Sequence, residues 1–407
     1  MSQNPERIRI LRIINRAAIG GPILNATLLT RELPDRFETK LVVGPCEEKY
    51  NHIEATDLLE GLDCVRLPSM RRSPNPLRDV ETFLAIRKLI RQYKPHIVHT
   101  HATKPGTLGR LAAKLEGVPV VVHTFHGHVF HSYFNPLMNG AYRILERQLA
   151  RISDAIVAIS AELKKEMSTD FKIAPTSKFH IVPLGFDLDK FFQDPLSKRS
   201  QFRKELGVSE DTVVITLVGR LVPVKNHGFF LRAFKRLKEL TDRKVLAVFV
   251  GYGEGYLQVE AEVKTLGIEY ARLGEQTQST ELIFTFLRTD VDVVYAGSDI
   301  VALSSLNEGT PVSLVEALAS EKPVVSTRVG GVESIVEHGV TGFLCDKRDT
   351  ESFAHHLATL VNDDALRIRM GKAGPGHVRT RFSYQRLVSD MEGLYEGLLR
   401  RKGVKVG

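Results

Sequence analysis

Residues 299–320 read DIVALSSLNEGTPVSLVEALAS. The run Ile300–Leu303 is apolar and rich in β-branched residues, as suits a buried strand ending near Ser305. A polar loop with Asn307, Glu308 and Gly309 follows, and the pattern predicts a helix from about Pro311. Proline suits a first helical position, because the N–H it lacks would have had no intrahelical partner, and Thr310 before it can cap. The N–H groups near Val312 and Ser313 then form an anion site. Glu308 precedes that helix and Glu316 lies about 7.5 Å along it, at a rise of ~1.5 Å per residue. Carboxylates beside an anion site repel the anion unless they accept hydrogen bonds from a hydroxyl-rich ligand, such as a ribose on one side and a hexose on the other. Spacing alone also fits a first-turn dipole partner plus an exposed helical glutamate. The succession of strand, Glu-Gly loop and helix favours the ligand.

A second segment, TLVGRLVPVKNHG at 216–228, puts Gly219 and Arg220 at the end of a strand and Lys225 and Asn226 at the opening of the next helix. Arginine grips a phosphate with two donors and lysine adds a point charge. Together they can neutralise a diphosphate without a metal. Cations at a helix N-terminus oppose its dipole, and an anion between them would resolve that conflict.

Outward from these segments, short β-branched runs alternate with helical periodicity, as in parallel sheets covered by helices on both faces. The strands read RIRILRII, KLVVG, CVRLP, HIVHTHA, VPVVVHTF, AIVAIS and FHIVPLG in the first half. In the second half they read TVVITLVG, KVLAVFVG, IFTF, DIVALSS and PVVSTRV. Amphipathic segments such as Val80–Tyr93 and Gly106–Glu116 fit crossover helices. An α/β fold of two doubly wound domains is expected, over 1–185 and 186–382, with a final helix and tail at 383–407. The stretch PLGFDLDKFFQDPLSKRS breaks the periodicity at the boundary with Pro, Gly and Asp. Ligands of open α/β sheets bind beyond the carboxyl ends of the strands, so the chemistry belongs in the loops there.

With 407 residues, 26% charged and 43% hydrophobic, the chain is neither disordered nor a small disulfide scaffold. No apolar run reaches the ~18 residues of a spanning helix, and the start lacks a signal-peptide core. A soluble cytoplasmic protein is expected. Cys46, Cys64 and Cys345 are odd in number and dispersed, which signals neither disulfides nor zinc. The net charge of +8 lies mostly in residues 1–190, with 27 Lys+Arg against 20 Asp+Glu, while 191–407 hold 29 against 28. Arg66, Arg71, Arg72 and Arg78 form the densest basic stretch, suited to an anionic membrane surface or a phosphate-bearing substrate, and equally to a solvated face. No aromatic-interleaved basic motif points to nucleic acid.

Several motifs occur in a telling order: Gly20-Gly21 after the first strand, TFHGH at 124–128, PLGFD at 183–187, GRLVPVKN at 219–226, VGYGEG at 250–255, the Glu308-x7-Glu316 pair and RVGG at 328–331. Over essentially its whole length the chain resembles the retaining glycosyltransferases of the GT-B fold in family four (glycosyl transferases group 1), including enzymes of surface-polysaccharide assembly. The resemblance implies two Rossmann-like domains facing a cleft, the first binding acceptor and the second donor, with the C-terminal helix crossing back to the first. It implies that Arg220 and Lys225 hold the donor diphosphate, with Gly219 and Asn226 beside them. Glu316 would bind the ribose hydroxyls and Glu308 the hydroxyls of the transferred sugar, while the backbone of Gly309, Thr310, Pro311 and Val312 serves sugar and phosphates. His126 would sit near the reacting centre, forming the catalytic set with Arg220, Lys225 and Glu308. Gly20 and Gly21 would admit phosphate or acceptor to the first loop. Gly251, Gly253 and the region of Arg288 would border the base, and His128 and Lys104 would face the acceptor. The resemblance further implies no cofactor and no metal. The partners would be a nucleotide-sugar donor, with UDP the commonest nucleotide of the family, and a saccharide or lipid-linked acceptor at the inner membrane face. Leu184 stands where the family often has Asn, and Ser334 where it usually has an acid, with Glu333 one place earlier. No role is assigned to these.

Other patterns compete. His123, His126, His128 and His131, with His99 and His101 on a neighbouring strand, suggest zinc, yet no carboxylate or cysteine pattern accompanies them. Most of them read as strand-end or loop residues facing the cleft. The triplets Asp187–Asp189 and Asp290–Asp292 resemble the metal carriers of another glycosyltransferase class, but lie in a linker and at a short helix start and read as structural. Gly251, Gly253 and Gly255 begin a dinucleotide fingerprint that fails at Tyr256, which demotes an NAD-dependent oxidoreductase. A nucleotide-sugar epimerase and a non-catalytic nucleotide-sugar sensor remain as rivals on the same fold.

Overall fold

In the computed structural model, which describes residues 7–17, 20–46, 56–71, 73, 75–127 and 136–404, the apolar runs pair in parallel into two sheets of seven strands. The first sheet holds β1 (Ile8–Ile14), β2 (Phe37–Val43), β3 (Cys64–Arg66), β4 (Ile97–His101), β5 (Val120–Phe125), β6 (Ala155–Ala158) and β7 (Phe179–Ile181). Their spatial order is β3-β2-β1-β4-β5-β6-β7. The second sheet holds β8 (Val213–Val218), β9 (Val245–Val250), β10 (Tyr270–Arg272), β11 (Leu282–Phe286), β12 (Ile300–Leu303), β13 (Val324–Thr327) and β14 (Gly342–Cys345), in the order β10-β11-β9-β8-β12-β13-β14. Each sheet reverses its winding beside its first strand, between β1 and β4 and between β8 and β12. Loops on the two sides of such a reversal part and leave a crevice at the carboxyl edge. Both sheets are therefore Rossmann-like, as expected.

The chain divides into one unit of Met1–Phe186 with Tyr384–Gly407 and another of Asp187–Ser383. The last helix, Tyr384–Arg401, belongs to the first unit because its apolar stripe recurs at helical spacing. Leu387, Met391, Tyr395, Leu398 and Leu399 pack in one core with Ile8, Ile10, Val120 and Val157. Each large side chain buried there contributes about 1.5–3 kcal/mol. Where the chain leaves this unit it is bonded to where it returns: Tyr384 donates its N–H to the Phe186 carbonyl at 3.1 Å. The Arg386 guanidinium reaches the carbonyls of Pro183 (2.8 Å) and Leu184 (2.7 Å). Leu184 itself is buried, so its departure from the family pattern puts a core residue there. In the second unit, Phe229, Phe230 and Phe234 of the helix His227–Glu239 pack with Phe249, Phe284 and Phe353.

Element limits differ from the sequence reading in identifiable ways. The helix expected over Val80–Tyr93 starts at Pro76, because Asn75 accepts the Arg78 N–H at 3.1 Å and the proline takes a first-turn position. The helix expected over Gly106–Glu116 runs Thr103–Leu115. The strands β10 and β14, three and four residues long, are additional to the runs quoted above.

A buried ion pair ties two helices of the first unit: Arg110 and Glu146 meet at 2.7 Å with side chains 0% and 2% exposed. Arg110→Ala strands a carboxylate and is expected to cost about 3–5 kcal/mol in urea unfolding. Replacing both residues by leucine removes both charges and recovers most of that loss. Equal losses in the single and double variants would refute this account. Among the described residues no helix is long and apolar enough to cross a membrane.

Candidate active site

The crevice at the β8/β12 reversal collects the segments read first. β8 ends at Val218, and Gly219 and Arg220 leave its carboxyl end. The Arg220 side chain is exposed and, among the described residues, has no ion-pair partner. A 3-10 turn, Pro223–Lys225, leads through Asn226, whose left-handed φ of 49° redirects the chain into the helix His227–Glu239. Two bonds join this loop to the one after β12. Leu306 donates its N–H to the Val224 carbonyl at 2.8 Å, and the Ser304 hydroxyl donates to the Lys225 carbonyl at 2.9 Å.

These bonds bring Lys225 and Glu308 together, with Nζ and Oε1 2.6 Å apart. The Ser305 hydroxyl donates to the same carboxylate oxygen at 2.6 Å, and Thr327 Oγ1 holds the Ser305 carbonyl at 2.6 Å. Lys225 and Glu308, expected to serve different parts of a ligand, thus pair with each other. The conflict between Lys225 and the helix dipole is eased by a carboxylate where the sequence reading invoked only a bound anion. Gly330, after β13, has a left-handed φ of 50°, and a Cβ there would stand 1.9 Å from the Glu308 carbonyl oxygen. Only glycine permits that approach.

The helix after β12 runs Val312–Ala319, one residue later than expected, with Pro311 rather than Thr310 at the N-cap. Pro311 is extended (ψ 104°), so it lies outside the helix, and no side chain caps it. Leu314 donates its N–H to the Pro311 carbonyl at 3.1 Å, and among the described residues no side chain accepts from the N–H groups of Val312 and Ser313 before it. Glu316 lies in the second turn, where Tyr295 donates its hydroxyl to Oε2 at 3.1 Å. Burial pushes the Glu316 carboxyl up to about 7, against the opposing pull of the Lys190 charge and the Tyr295 bond.

Other candidates have local partners. Cβ atoms at Gly251 and Gly253 would lie 2.1 and 2.3 Å from the carbonyl oxygens of Gly219 and Leu221, so packing between loops already requires these glycines. Arg288 is forked between Asp290 (2.7 Å) and Glu205 (2.7 Å) and lies 5.7 Å over the Phe202 ring. Asp292 pairs with Lys198 at 2.9 Å, and Asp187 accepts the Asp189 N–H at 3.1 Å, which gives both Asp-x-Asp triplets structural contacts. Among the described residues there is no group of three or more His, Cys, Asp or Glu placed to hold a metal ion.

In the first unit the reading of most of the histidines as strand-end or loop residues facing the cleft is corrected. His99, His101 and His123 are fully buried strand residues. Their alternation along β4 and β5 carries them into the sheet's two faces rather than out of its edge. His99 Nδ1 lies 2.6 Å from the Tyr395 hydroxyl and 3.0 Å from Arg12, while its Nε2 meets Thr124 at 2.7 Å. His126 follows β5, half-buried, with Nε2 2.9 Å from His101 Nδ1. Burial lowers its pKa to about 4, so it is neutral at pH 7. Lys104 bonds Asp79 at 2.5 Å and the Ser73 carbonyl at 2.7 Å. Around Gly20 a Cβ would meet nothing within 4 Å, and at Gly21 only Leu184 at 3.7 Å. His128, His131 and Arg72 lie outside the described residues. Sequence reasoning missed Ser305, Thr327 and Tyr295, and only the hydroxyl pair at the end of β12 hinted at them.

Residues 24–190 match the family model described as Glycosyltransferase Family 4, and residues 198–377 that described as Glycosyl transferases group 1. The chain is 31% identical over 374 residues to the Escherichia coli UDP-Gal:alpha-D-GlcNAc-diphosphoundecaprenol alpha-1,3-galactosyltransferase, covering 90% of this chain and 91% of that one. The chain belongs to glycosyltransferase family 4. This glycosyltransferase is also 31% identical over 324 residues to a D-inositol 3-phosphate glycosyltransferase of Corynebacterium glutamicum, covering 76% and 73% of the two chains. In fold the glycosyltransferase is similar to Anabaena HepE in complex with UDP, with a TM-score of 0.77 at 20% identity over 96% of this chain and 100% of that one.

Proposed function

We propose that the protein transfers a sugar from a nucleotide diphosphate sugar, UDP-activated, to a lipid-linked saccharide acceptor with its anomeric configuration retained and without a divalent metal. The observation that carries this reading is the β8/β12 crevice, where Arg220, without an ion-pair partner among the described residues, the Lys225–Glu308 pair and a helix start without a side-chain cap converge. The guanidinium, the ammonium and the first helical N–H groups would meet the diphosphate charge, so no cation from solution is needed. Glu316 would accept from the ribose hydroxyls. Glu308, already fixed by Lys225 and Ser305, would accept from the sugar.

No carboxylate is assigned as a nucleophile, and the acceptor hydroxyl would attack the anomeric carbon from the side the diphosphate leaves. The bond from that carbon to the phosphate oxygen breaks, the bond to the acceptor oxygen forms, and the acceptor proton passes to the leaving phosphate. Stabilising the departing charge and positioning the acceptor would supply most of the rate. Neutral His126 would hydrogen-bond the sugar beside the reacting carbon. The E. coli relative, matched along nine-tenths of its length, supports both the UDP donor and the lipid-linked acceptor.

With a membrane-bound acceptor and a water-soluble donor, the reaction would occur at the cytoplasmic membrane face. The helix Pro76–Tyr93 exposes Leu77 (85%), Val80 and Leu84 close to Arg71 and Arg78, a combination suited to an anionic bilayer surface. Leu77→Glu with Leu84→Glu should weaken cosedimentation with phosphatidylglycerol vesicles about tenfold or more. Unchanged sedimentation would remove this contact from the proposal.

Incubation with radiolabelled UDP-sugars, with and without EDTA, tests the whole reading. Donor cleavage or transfer to an α-linked product, undiminished by EDTA, is expected. An altered sugar on intact UDP would indicate an epimerase, and binding without turnover a sensor.

A further inference from the structure

At the amino edge of the first sheet, opposite the loops that carry Gly20 and His126, the helix Pro136–Ile152 ends beside the segment leading into β7. Between them lies a cavity of about 620 Å³. Its floor is apolar, including Ala150 and Ile173, and Arg147, Arg151, Lys172 and Lys178 line it. None of its nine lining residues is acidic.

Several cations elsewhere in this unit are matched by carboxylates: Arg87 and Arg91 by Glu116, Arg110 by Glu146, Lys104 by Asp79. None of the four in this cavity has a carboxylate in ion-pair range among the described residues. Two have structural tasks. Arg147 donates to the carbonyls of Phe171 (2.9 Å) and Lys172 (3.0 Å), and Lys178 to those of Ala150 (2.7 Å) and Ser153 (2.8 Å) at the helix end. The helix dipole favours cations there. It does not account for Lys172, which comes from the neighbouring segment on a left-handed φ of 51°. The Arg151 side chain is exposed and, among the described residues, bonds only Gln148, at 2.9 Å. The nearby carboxylate, Asp154, is engaged by Lys402 at 2.6 Å and by the Val121 N–H at 2.8 Å. Four like charges thus border one apolar hollow, a repulsive arrangement that a bound anion relieves.

We propose that this cavity is a second ligand site, separate from the transfer site, which binds a phosphate group carried on an apolar chain. The cations take the phosphate and the floor takes the chain. The same phosphate chemistry is offered by a lipid phosphate and by free phosphate.

The test uses the full chain with excess UDP and three probes: monomeric dihexanoyl phosphatidic acid, inorganic phosphate and dihexanoylglycerol. Each is titrated calorimetrically against the wild type and the Arg151→Gln, Lys172→Gln variant, which spares the two structural cations. Phosphatidic acid is expected to bind the wild type, at least tenfold more weakly the variant, and the uncharged lipid not at all. Tighter binding of phosphatidic acid than of phosphate identifies a lipid source, and equal binding of the two shows that the floor takes no chain and overturns the proposal. No binding of either phosphate, equal affinity in wild type and variant, or equal affinity for the uncharged lipid overturns the proposal. Sugar transfer is not involved in any of these readings, so the site stands or falls independently of the proposed reaction.

Discussion

Arg220→Ala is expected to lower kcat by about 10²–10³-fold, the scale of losing one preorganised donor at a developing oxyanion. The folded state should be unaffected, because an exposed side chain without an ion-pair partner contributes within ~0.5 kcal/mol. Arg220→Lys restores the charge without the two-pronged grip and should recover only part of the rate. Lys225→Ala behaves differently. It removes a diphosphate contact and also leaves the Glu308 carboxylate, 12% exposed, without its cation. A comparable loss of turnover is expected there together with a lower melting temperature. The matching control is Lys225→Ala with Glu308→Gln, which restores stability and not turnover. Near-normal kcat in Arg220→Ala would eliminate the diphosphate assignment.

Glu316→Gln should weaken donor binding and strengthen the fold. A carboxylate accepting from sugar hydroxyls gives hydrogen bonds of about 1.5–3 kcal/mol, so its loss corresponds to roughly 10- to 100-fold in donor affinity. The stability effect follows from titration. The unfolded chain releases this proton near the ordinary value of 4.5, whereas the folded protein holds it to about 7. Folding therefore takes up a proton between those values, and stability from this group falls as pH rises through that window, with the full penalty above about 7. At ~1.36 kcal/mol per unit, the penalty is at most about 3–4 kcal/mol. Glutamine keeps an acceptor for the Tyr295 hydroxyl and carries no charge. Urea unfolding should show the variant more stable than wild type at pH 8 and level with it at pH 4. Donor affinity of the wild type should rise from pH 6 to pH 8, and that of the variant should stay flat. A variant equal to wild type in both measurements would deny Glu316 a place in the site.

Much of this was legible in the sequence because the relevant signals are local. The runs IRILRII and IVAL declare buried parallel strands, and the loops after β8 and β12 follow from Gly219-Arg220 and Glu308-Gly309. What escaped depends on contacts distant in the chain. Lys225 and Glu308 are 83 residues apart and meet only because β8 and β12 are neighbours in the second sheet. Tyr295 reaches Glu316 from a separate helix. The histidines misled for the opposite reason: a dense local pattern suggested strand-end or loop residues facing the cleft, while strand alternation turned His99, His101 and His123 inward. Pro311 shows the limit of local helix rules, since one residue's shift moved it from the first turn to the cap.

The burial of the final helix also orders events during synthesis. The stretch from Asp187 to Ser383 is continuous, so its sheet can close as soon as it has left the ribosome. The amino-terminal sheet emerges first yet is completed last, because Tyr395 must arrive before His99 and Arg12 have their hydroxyl partner. Until then a newly made sheet waits with the apolar surfaces of Ile8, Val120 and Val157 lacking their cover. A nonsense codon at residue 384 would therefore strand the half that was translated earliest, and leave the later half intact.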